Sequence, residues 1–400
     1  MLAHWIWLAL LRGMNSRQKL ELLEHFHGPE ELYFADRYAL KGMITEPELL
    51  EQLLNKDLSK ANDLMRVCTE KGIGIIAFCD SAYPALLRNI DDPPLVLYYK
   101  GKIPAWELQP VIGVVGTRSA SAYGLRTATT MGAQIAACGG IVVSGGARGI
   151  DTNALRGALA QEQITVSVQA GGLDHLYPKE NTQLFSRILH NGCILSEYPP
   201  GTGYFKGNFL RRNRIISGIS DAVLVVEAPM VSGALSTARW ASGQGREVFA
   251  VPGNVDVDSA KGSNAIIGDI AKAAVDGWSV MREFVDHYPN AVKKAEPKYG
   301  VQRPQLPVIS PSVKEEPKPV ADKITVDKRK ECPYSVIEKD FSGFSDTEQI
   351  ILKALTDAPT PVDQLLENLP ISSGEALSVL TKLSLKGVVK YHPGNLISLN

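Results

Sequence analysis

The stretch "VIGVVGTRSASAYG", Val111–Gly124, decides the fold of this 400-residue chain. An unbroken apolar run ends at Gly116, a Gly-Thr-Arg-Ser turn follows, and Tyr123 opens a helical segment that reaches Cys138. Apolar runs without polar alternation belong to strands buried on both faces of a parallel sheet. The rhythm recurs in "GIVVSGG", "ITVSVQAGG", "AVLVVEA" and "EVFAVPG", each closing on Gly, Pro or an acidic residue, with a helical segment at Asp151–Gln161. Strands alternating with helices indicate an α/β fold. Open sheets of this kind bind ligands beyond the carboxyl ends of their strands, where these motifs sit.

Outward from this core, 69–288 including its lead-in strands "GIGIIAFCD" and "IDDPPLVLYYKG", three further regions are expected. Residues 1–68 read as a small helical domain, with apolar faces from Leu8, Leu11, Leu20, Leu22, Leu23 and Phe26 and with Asn15 or Ser16 capping the second helix. Residues 289–340 are rich in Pro, Lys and Glu and read as a linker. Residues 341–400 read as a winged helix-turn-helix. Capping boxes begin at Ser345 and Ser372, Thr360-Pro361 starts a helix between them, and "GVVKYHPGNLISL" forms the hairpin.

Lys and Arg number 42 against 43 Asp and Glu, so the chain is no polybasic binder and any nucleic-acid surface must be local. Five widely spaced cysteines, without a C-x-x-C pair, point to buried thiols in a reducing compartment and to no metal site. The N-terminal "MLAHWIWLALLRG" lacks a basic flank and is too short to span a membrane. A buried first helix and a cytoplasmic protein are expected.

Chemistry concentrates in five motifs. In the first turn, Gly116 permits close backbone approach, Thr117, Ser119 and Ser121 offer hydroxyls, and Arg118 can grip phosphate beside a helix start. The other reading is a capped turn whose arginine faces water. "SGGARGID" repeats the logic with Gly145, Gly146 and Arg148, and Asp151 is read as a helix cap. "AGGLDHLYPKEN" contributes Lys179 as a phosphate contact or a surface lysine. "YFKGNFLRRNRIISG" places Lys206, Arg211, Arg212 and Arg214 within nine residues, before what reads as an apolar strand. Tyr204, Phe205 and Phe209 interleave with these cations, as suits stacked single-strand bases, although Phe209 is expected in the core. Arg212 and Arg214 cannot both share a face with Arg211, and some of the three can instead pair with Glu197 or Glu227. Finally, Ser232 and Gly233 near a helix start form another anion nest.

Together "GVVGTRSASAYG", "SGGARGID", "GLDHLYPKEN", "SEYPPGT", "RRNRIISG", "VLVVEA", "SGALSTA" and "GREVFAVPG" resemble, in order, the DprA/Smf family of bacterial DNA-processing proteins. "KGSNAIIGDIAKAAV" is similar, more loosely, to that family's Gly-x-Asn-x-Leu-Ile segment. The resemblance implies a Rossmann-like core, an N-terminal domain like a sterile alpha motif and a C-terminal winged helix. It implies binding and protection of single-stranded DNA during natural transformation, loading of the RecA recombinase, dimerisation through the core, and neither enzymatic turnover nor a cofactor. By motif, its DNA contacts fall on Arg118, Ser121, Arg212 and Arg214, with Lys179 a weaker match.

Two other readings stay open. A nucleotide-cleaving enzyme would use Glu227 as its acid, but no "PGGxGT" stretch accompanies it. A ligand-sensing transcription regulator would read duplex through the winged helix. That segment sets Lys353, Lys382, Lys386 and Lys390 against six acidic residues, a balance of −2, and its recognition helix has no Arg, Asn or Gln to read bases.

Overall fold

The structure, a computed structural model, describes residues 1–297, 344–355, 360–367, 369, 371–385, 388–392 and 396–399. The chain divides into two compact units, Met1–Val308 and Ile309–Asn400. The first opens with helices α1 (Leu2–Leu10), α2 (Ser16–Phe26), α3 (Pro29–Phe34), α4 (Arg37–Leu40), α5 (Pro47–Leu54) and α6 (Ser59–Glu70). Asn15 caps α2 reciprocally with Gln18, each side chain accepting the other's backbone N–H at 2.9 Å. Four residues of α1, Trp5 to Leu8, are core, so the apolar N-terminus folds inward. Among the described residues, no helix is long and apolar enough to cross a membrane.

Nine strands then form one sheet: β1 (Gly74–Ala77), β2 (Val96–Gly101), β3 (Val111–Val115), β4 (Ile141–Ser144), β5 (Thr165–Gln169), β6 (Cys193–Ser196), β7 (Ala222–Val225), β8 (Glu247–Ala250) and β9 (Lys272–Ala273). Their order is β1-β2-β6-β5-β4-β3-β7-β8-β9. The pairs β1–β2 and β2–β6 are antiparallel and the rest parallel. Between the strands lie α7 (Ala85–Arg88), α8 (Ala122–Ala137), α9 (Ile150–Leu159), α10 (Thr182–Asn191), α11 (Lys206–Gly218), α12 (Gly233–Gly243), α13 (Lys261–Ile266) and α14 (Gly277–Met281). On one face of the sheet, α8, α9 and α10 share a contiguous core with the N-terminal helices. On the other, Ile215 and Ile216 of α11 and Leu235 of α12 pack with Val111, Val115 and Val143.

Strand β3 lies between β4 and β7, the point at which the chain, having wound outward through β6, returns to the other side. Loops diverge there and leave a crevice. The segment Arg214–Gly218 is the end of α11, not a strand, and β7 begins four residues later. A short apolar run does not distinguish the two by itself. Beyond Tyr288 the chain still packs on this unit, for Val292 is buried and Lys293 donates its N–H to the Cys138 carbonyl. Cys68, Cys138 and Cys193 are buried free thiols, Cys79 is exposed, and Cys332 lies outside the described residues.

The second unit holds α15 (Asp346–Ala354), β10 (Thr360–Pro361), α16 (Val362–Glu367), α17 (Ser373–Leu385), β11 (Val389–His392) and β12 (Leu396–Leu399), with strand order β10-β12-β11. The expected capping box forms between Ser345 and Glu348. Thr360 and Pro361 do not begin a helix. They pair with Ile397 and Leu396 at the sheet edge, where proline is tolerated. Ile351, Leu365, Leu380 and Ile397 close a small core.

Candidate nucleic-acid interface

A cleft of about 510 Å³ opens at the crevice beside β3. The turn after β3 supplies Gly116, Thr117, Arg118 and Ser119; the loop after β4 supplies Ala147 and the first turn of α9 supplies Asp151; the start of α12 supplies Ser232 and Gly233. Helix α11 lays Lys206, Phe209, Leu210, Arg212, Asn213 and Ile216 along one wall. Residues 206, 209, 210 and 213 follow the i, i+3, i+4, i+7 spacing of a single helix face.

Arg118 and Lys206 are exposed, and among the described residues neither makes an ion pair. The Arg118 guanidinium lies 4.6 Å from the centroid of the Phe209 ring. Phe209 is therefore not in the core. It is half-buried and joins Tyr177 and Tyr204 in an aromatic cluster with centroids 5.2–6.2 Å apart. Asn213 holds the facing wall by donating to the Gly233 carbonyl at 3.1 Å.

Arg212 also lines the cleft but is only 3% exposed. Its Nη1 donates to the carbonyls of Gly145 (2.9 Å) and Val168, joining the ends of β4 and β5. A Cβ on Gly145 would lie 2.4 Å from the guanidinium and push it off these carbonyls. Burial pushes the Arg212 pKa down to about 10, against the pull of Asp151, so the side chain stays charged at neutral pH. Asp151 accepts the Ala147 N–H at 3.3 Å. Its pKa is raised by burial, a shift that Arg212 and the N–H contact oppose.

Arg214 stands apart from the cleft. It is 2% exposed, bidentate to Glu197 at 2.6 and 3.0 Å, and donates Nε to Asp92 at 3.0 Å. Burial opposes its charge, but the two carboxylates outweigh that and raise its pKa. Arg211 is half-exposed and joins the same carboxylates at 3.5 and 3.6 Å. Positions 212 and 214 are two residues apart, roughly 200° around a helix, which sends them to opposite sides.

The remaining expected residues also take up other partners. Ser121 caps α8 by accepting the Gly124 N–H at 3.0 Å and donates its hydroxyl to Glu227 at 2.9 Å. Gly146 is buried, with its carbonyl taken by Asn181 at 2.9 Å. Arg148 pairs with Glu180, and Lys179 is exposed, away from the cleft lining. Thus Gly116, Thr117, Arg118, Ser119, Lys206, Arg212, Ser232 and Gly233 converge, whereas Ser121, Gly145, Gly146, Arg148, Lys179, Arg211 and Arg214 do not line the cleft. Sequence reasoning missed Phe209 and Asn213 as wall residues. Their helical spacing from Lys206 was the available signal, hidden while the segment read as running into a strand. Among the described residues, no group of His, Cys, Asp and Glu could hold a metal.

Comparison with known proteins agrees with this architecture. Residues 74–285 match the family model for DNA recombination-mediator protein A, and residues 342–395 match the DprA winged helix domain. Protein Smf of Synechocystis sp. is 31% identical over 400 residues, covering 98% of this chain and 97% of that protein. DNA processing protein DprA of Bacillus subtilis is 40% identical over 228 residues, 57% of this chain and 76% of its own length. The X-ray structure of DNA processing protein A from Streptococcus pneumoniae superposes with a TM-score of 0.62 at 30% identity, covering 71% of this chain and 98% of that one. With more than half its length under one family model and a relative matched nearly end to end, the chain belongs to the DNA recombination-mediator protein A, or DprA/Smf, family.

Proposed function

We infer that this chain binds single-stranded DNA in the cleft beside β3, as part of DNA processing during natural transformation. The observation that carries this reading is the convergence of Arg118, Lys206 and Phe209 on one wall system. Two cations without an ion pair among the described residues suit backbone phosphate, and an aromatic ring lining the cleft suits an unstacked base. Arg212 adds buried positive charge to the same cleft and frames it through the carbonyls it holds. The DNA-contacting set is therefore Gly116, Thr117, Arg118, Ser119, Lys206, Phe209, Arg212, Ser232 and Gly233.

The proposal extends to what the family resemblance implies: the bound strand is protected and passed to RecA, by a homodimer formed through the sheet unit, in the cytoplasm and without catalytic turnover. The winged helix contributes protein contact or weak phosphate contact. Lys382 and Lys390 are exposed in it, within a segment of net acidic balance.

The test is fluorescence anisotropy with labelled oligo(dT) and a duplex of equal length, across salt. Preference for the single strand, weakening as salt rises, is expected. Equal affinity for duplex, or no binding of oligo(dT) at low salt by folded protein, would sink the reading. Light scattering reads the dimer, and the rate of RecA filament formation on strands coated with single-strand-binding protein reads loading.

A further inference from the structure

The loop after β5, "AGGLDHLYPKEN", contributes no residue to the cleft lining, yet its Tyr177 touches that lining. The Tyr177 ring meets the Phe209 ring edge to face, with centroids 6.0 Å apart, and Phe209 is a wall residue of the cleft. The Tyr204 ring lies 5.2 Å away from Tyr177. Beside these two rings Tyr177 is still 42% exposed. An aromatic surface that begins in the cleft therefore continues out of it.

This surface is held from below. Gln169, the last residue of β5 and 1% exposed, accepts on one oxygen the Tyr204 hydroxyl at 3.1 Å and the Tyr177 N–H at 3.4 Å, and its amide donates to the Ser167 hydroxyl at 3.1 Å. Ser196, the last residue of β6, donates to the Gly171 carbonyl at 2.8 Å. The Gly172 N–H donates to the Thr202 carbonyl at 2.9 Å, and Asp174 accepts the Gly201 N–H at 2.9 Å. The loops after β5 and β6 are thus tied together, and the Tyr204 ring occupies the space over Gly171, where a Cβ would lie 2.9 Å from it. Rings fixed in this way lose little freedom when a ligand stacks on them. Of the charged groups in the same loop, Asp174 faces Lys71 at 3.8 Å and Glu180 pairs with Arg148. Lys179, exposed and two residues from Tyr177, makes no ion pair among the described residues.

We propose that a single strand held in the cleft leaves it over Tyr177, where one further base stacks on the ring while the adjoining phosphate meets Lys179. The inference rests on the strand-binding reading of the cleft and adds a subsite outside it. Stacking on a ring tolerates every base, so the subsite lengthens the strand that is held without adding sequence preference. In a duplex the bases are already stacked and paired, and Tyr177 has no free base face to receive.

The experiment measures fluorescence anisotropy of full-length protein with oligo(dT) of stepwise increasing length. In parallel, 2-aminopurine, whose emission falls when it stacks, is placed at successive positions of the longest oligomer. Wild-type affinity is expected to go on rising after the cleft is filled, and one 2-aminopurine position is expected to respond to Tyr177. Tyr177→Ala should abolish that response and weaken the longest oligomer by about five- to a hundredfold, with the salt slope unchanged because no charge is lost. The shortest oligomer that binds should be unaffected, which shows that Phe209 and the cleft are intact. Tyr177→Phe should restore both readouts, since the ring returns without its hydroxyl. Lys179→Ala should lower the salt slope for the longest oligomer by about 0.7 and leave the shortest alone. Tyr38→Ala, which removes an exposed ring on α4, is the control and should change nothing. Equal weakening of short and long oligomers by Tyr177→Ala would mean that Tyr177 only supports Phe209, and would overturn the proposal. So would full affinity and an unaltered 2-aminopurine response in that variant. Wild type that binds no oligo(dT) of any length would instead refute the cleft reading on which the proposal rests.

Discussion

Replacing Arg118 by alanine separates grip on DNA from stability of the fold. The side chain is exposed, makes no ion pair among the described residues, and has the Phe209 ring as its neighbour at 4.6 Å. An exposed cation–π contact is worth about 0.5–1 kcal/mol. In a unit of this size that corresponds to a melting shift of about 2–4 °C at most. Toward DNA, a charge-assisted contact contributes about 1.5–3 kcal/mol. Its loss should weaken oligo(dT) binding by about one to two orders of magnitude. Removing one phosphate contact should also lower the slope of log affinity against log salt by about 0.7. Anisotropy titrations at four or five salt concentrations read both quantities, and a thermal melt reads the third. Arg118→Lys should keep most of the slope and recover part of the affinity, since charge returns without the planar fork. Affinity within threefold of wild type with an unchanged slope would refute the assignment. So would a melting loss much larger than the ring contact can supply.

Arg214→Met should do the reverse, destabilising the fold by about 3–5 kcal/mol in denaturant titration because Glu197 and Asp92 lose their buried cation and keep only the longer contacts of half-exposed Arg211, while the salt slope of DNA binding holds. Lys19 is buried, with Nζ donating to the carbonyls of Ala9 and Leu11 at 3.0 and 2.7 Å, and burial pushes its pKa from 10.5 down to about 8. The folded state releases that proton first, so stability should rise from pH 8 toward 10.5, and Lys19→Met should flatten the rise in denaturant midpoints. Gly124→Ala would set a methyl 1.6 Å from a Glu227 oxygen, so a loss of about 1–3 kcal/mol is expected by the same titration, with a wild-type melt ruling the contact unimportant.

The central strands were legible because each is a short unbroken apolar run closed by a turn residue. Strand β6, "CILS", escaped: it is four residues long and sits between the end of α10 and a polar loop. The end of α11 misled for a related reason. Ile215 and Ile216 are adjacent and both buried against the sheet, so the run carries no visible helical period. In the cleft, the turn at Gly116–Ser119 and the start of α12 could be read from local chemistry. The division of labour among the arginines could not. It depends on Asp92 and on the Val168 carbonyl, 122 and 44 residues away from their partners in sequence. The stacking of Arg118 on Phe209 likewise joins two elements that only the sheet order brings together.

Asp92 accepts the Ser16 N–H at 3.1 Å from the first turn of α2 and, through its other oxygen, Nε of Arg214 at 3.0 Å. It is thus a brace between the N-terminal helices and the back of α11, the helix whose front carries Lys206 and Phe209. A strand pulled along the cleft loads that helix sideways, and a helix held only by its apolar face would yield by sliding. With the brace in place the load passes into α2 and the core behind it. On the proposed strand binding, removal of the N-terminal helices should therefore shorten the lifetime of the complex, read as a faster dissociation rate, even with every cleft residue intact.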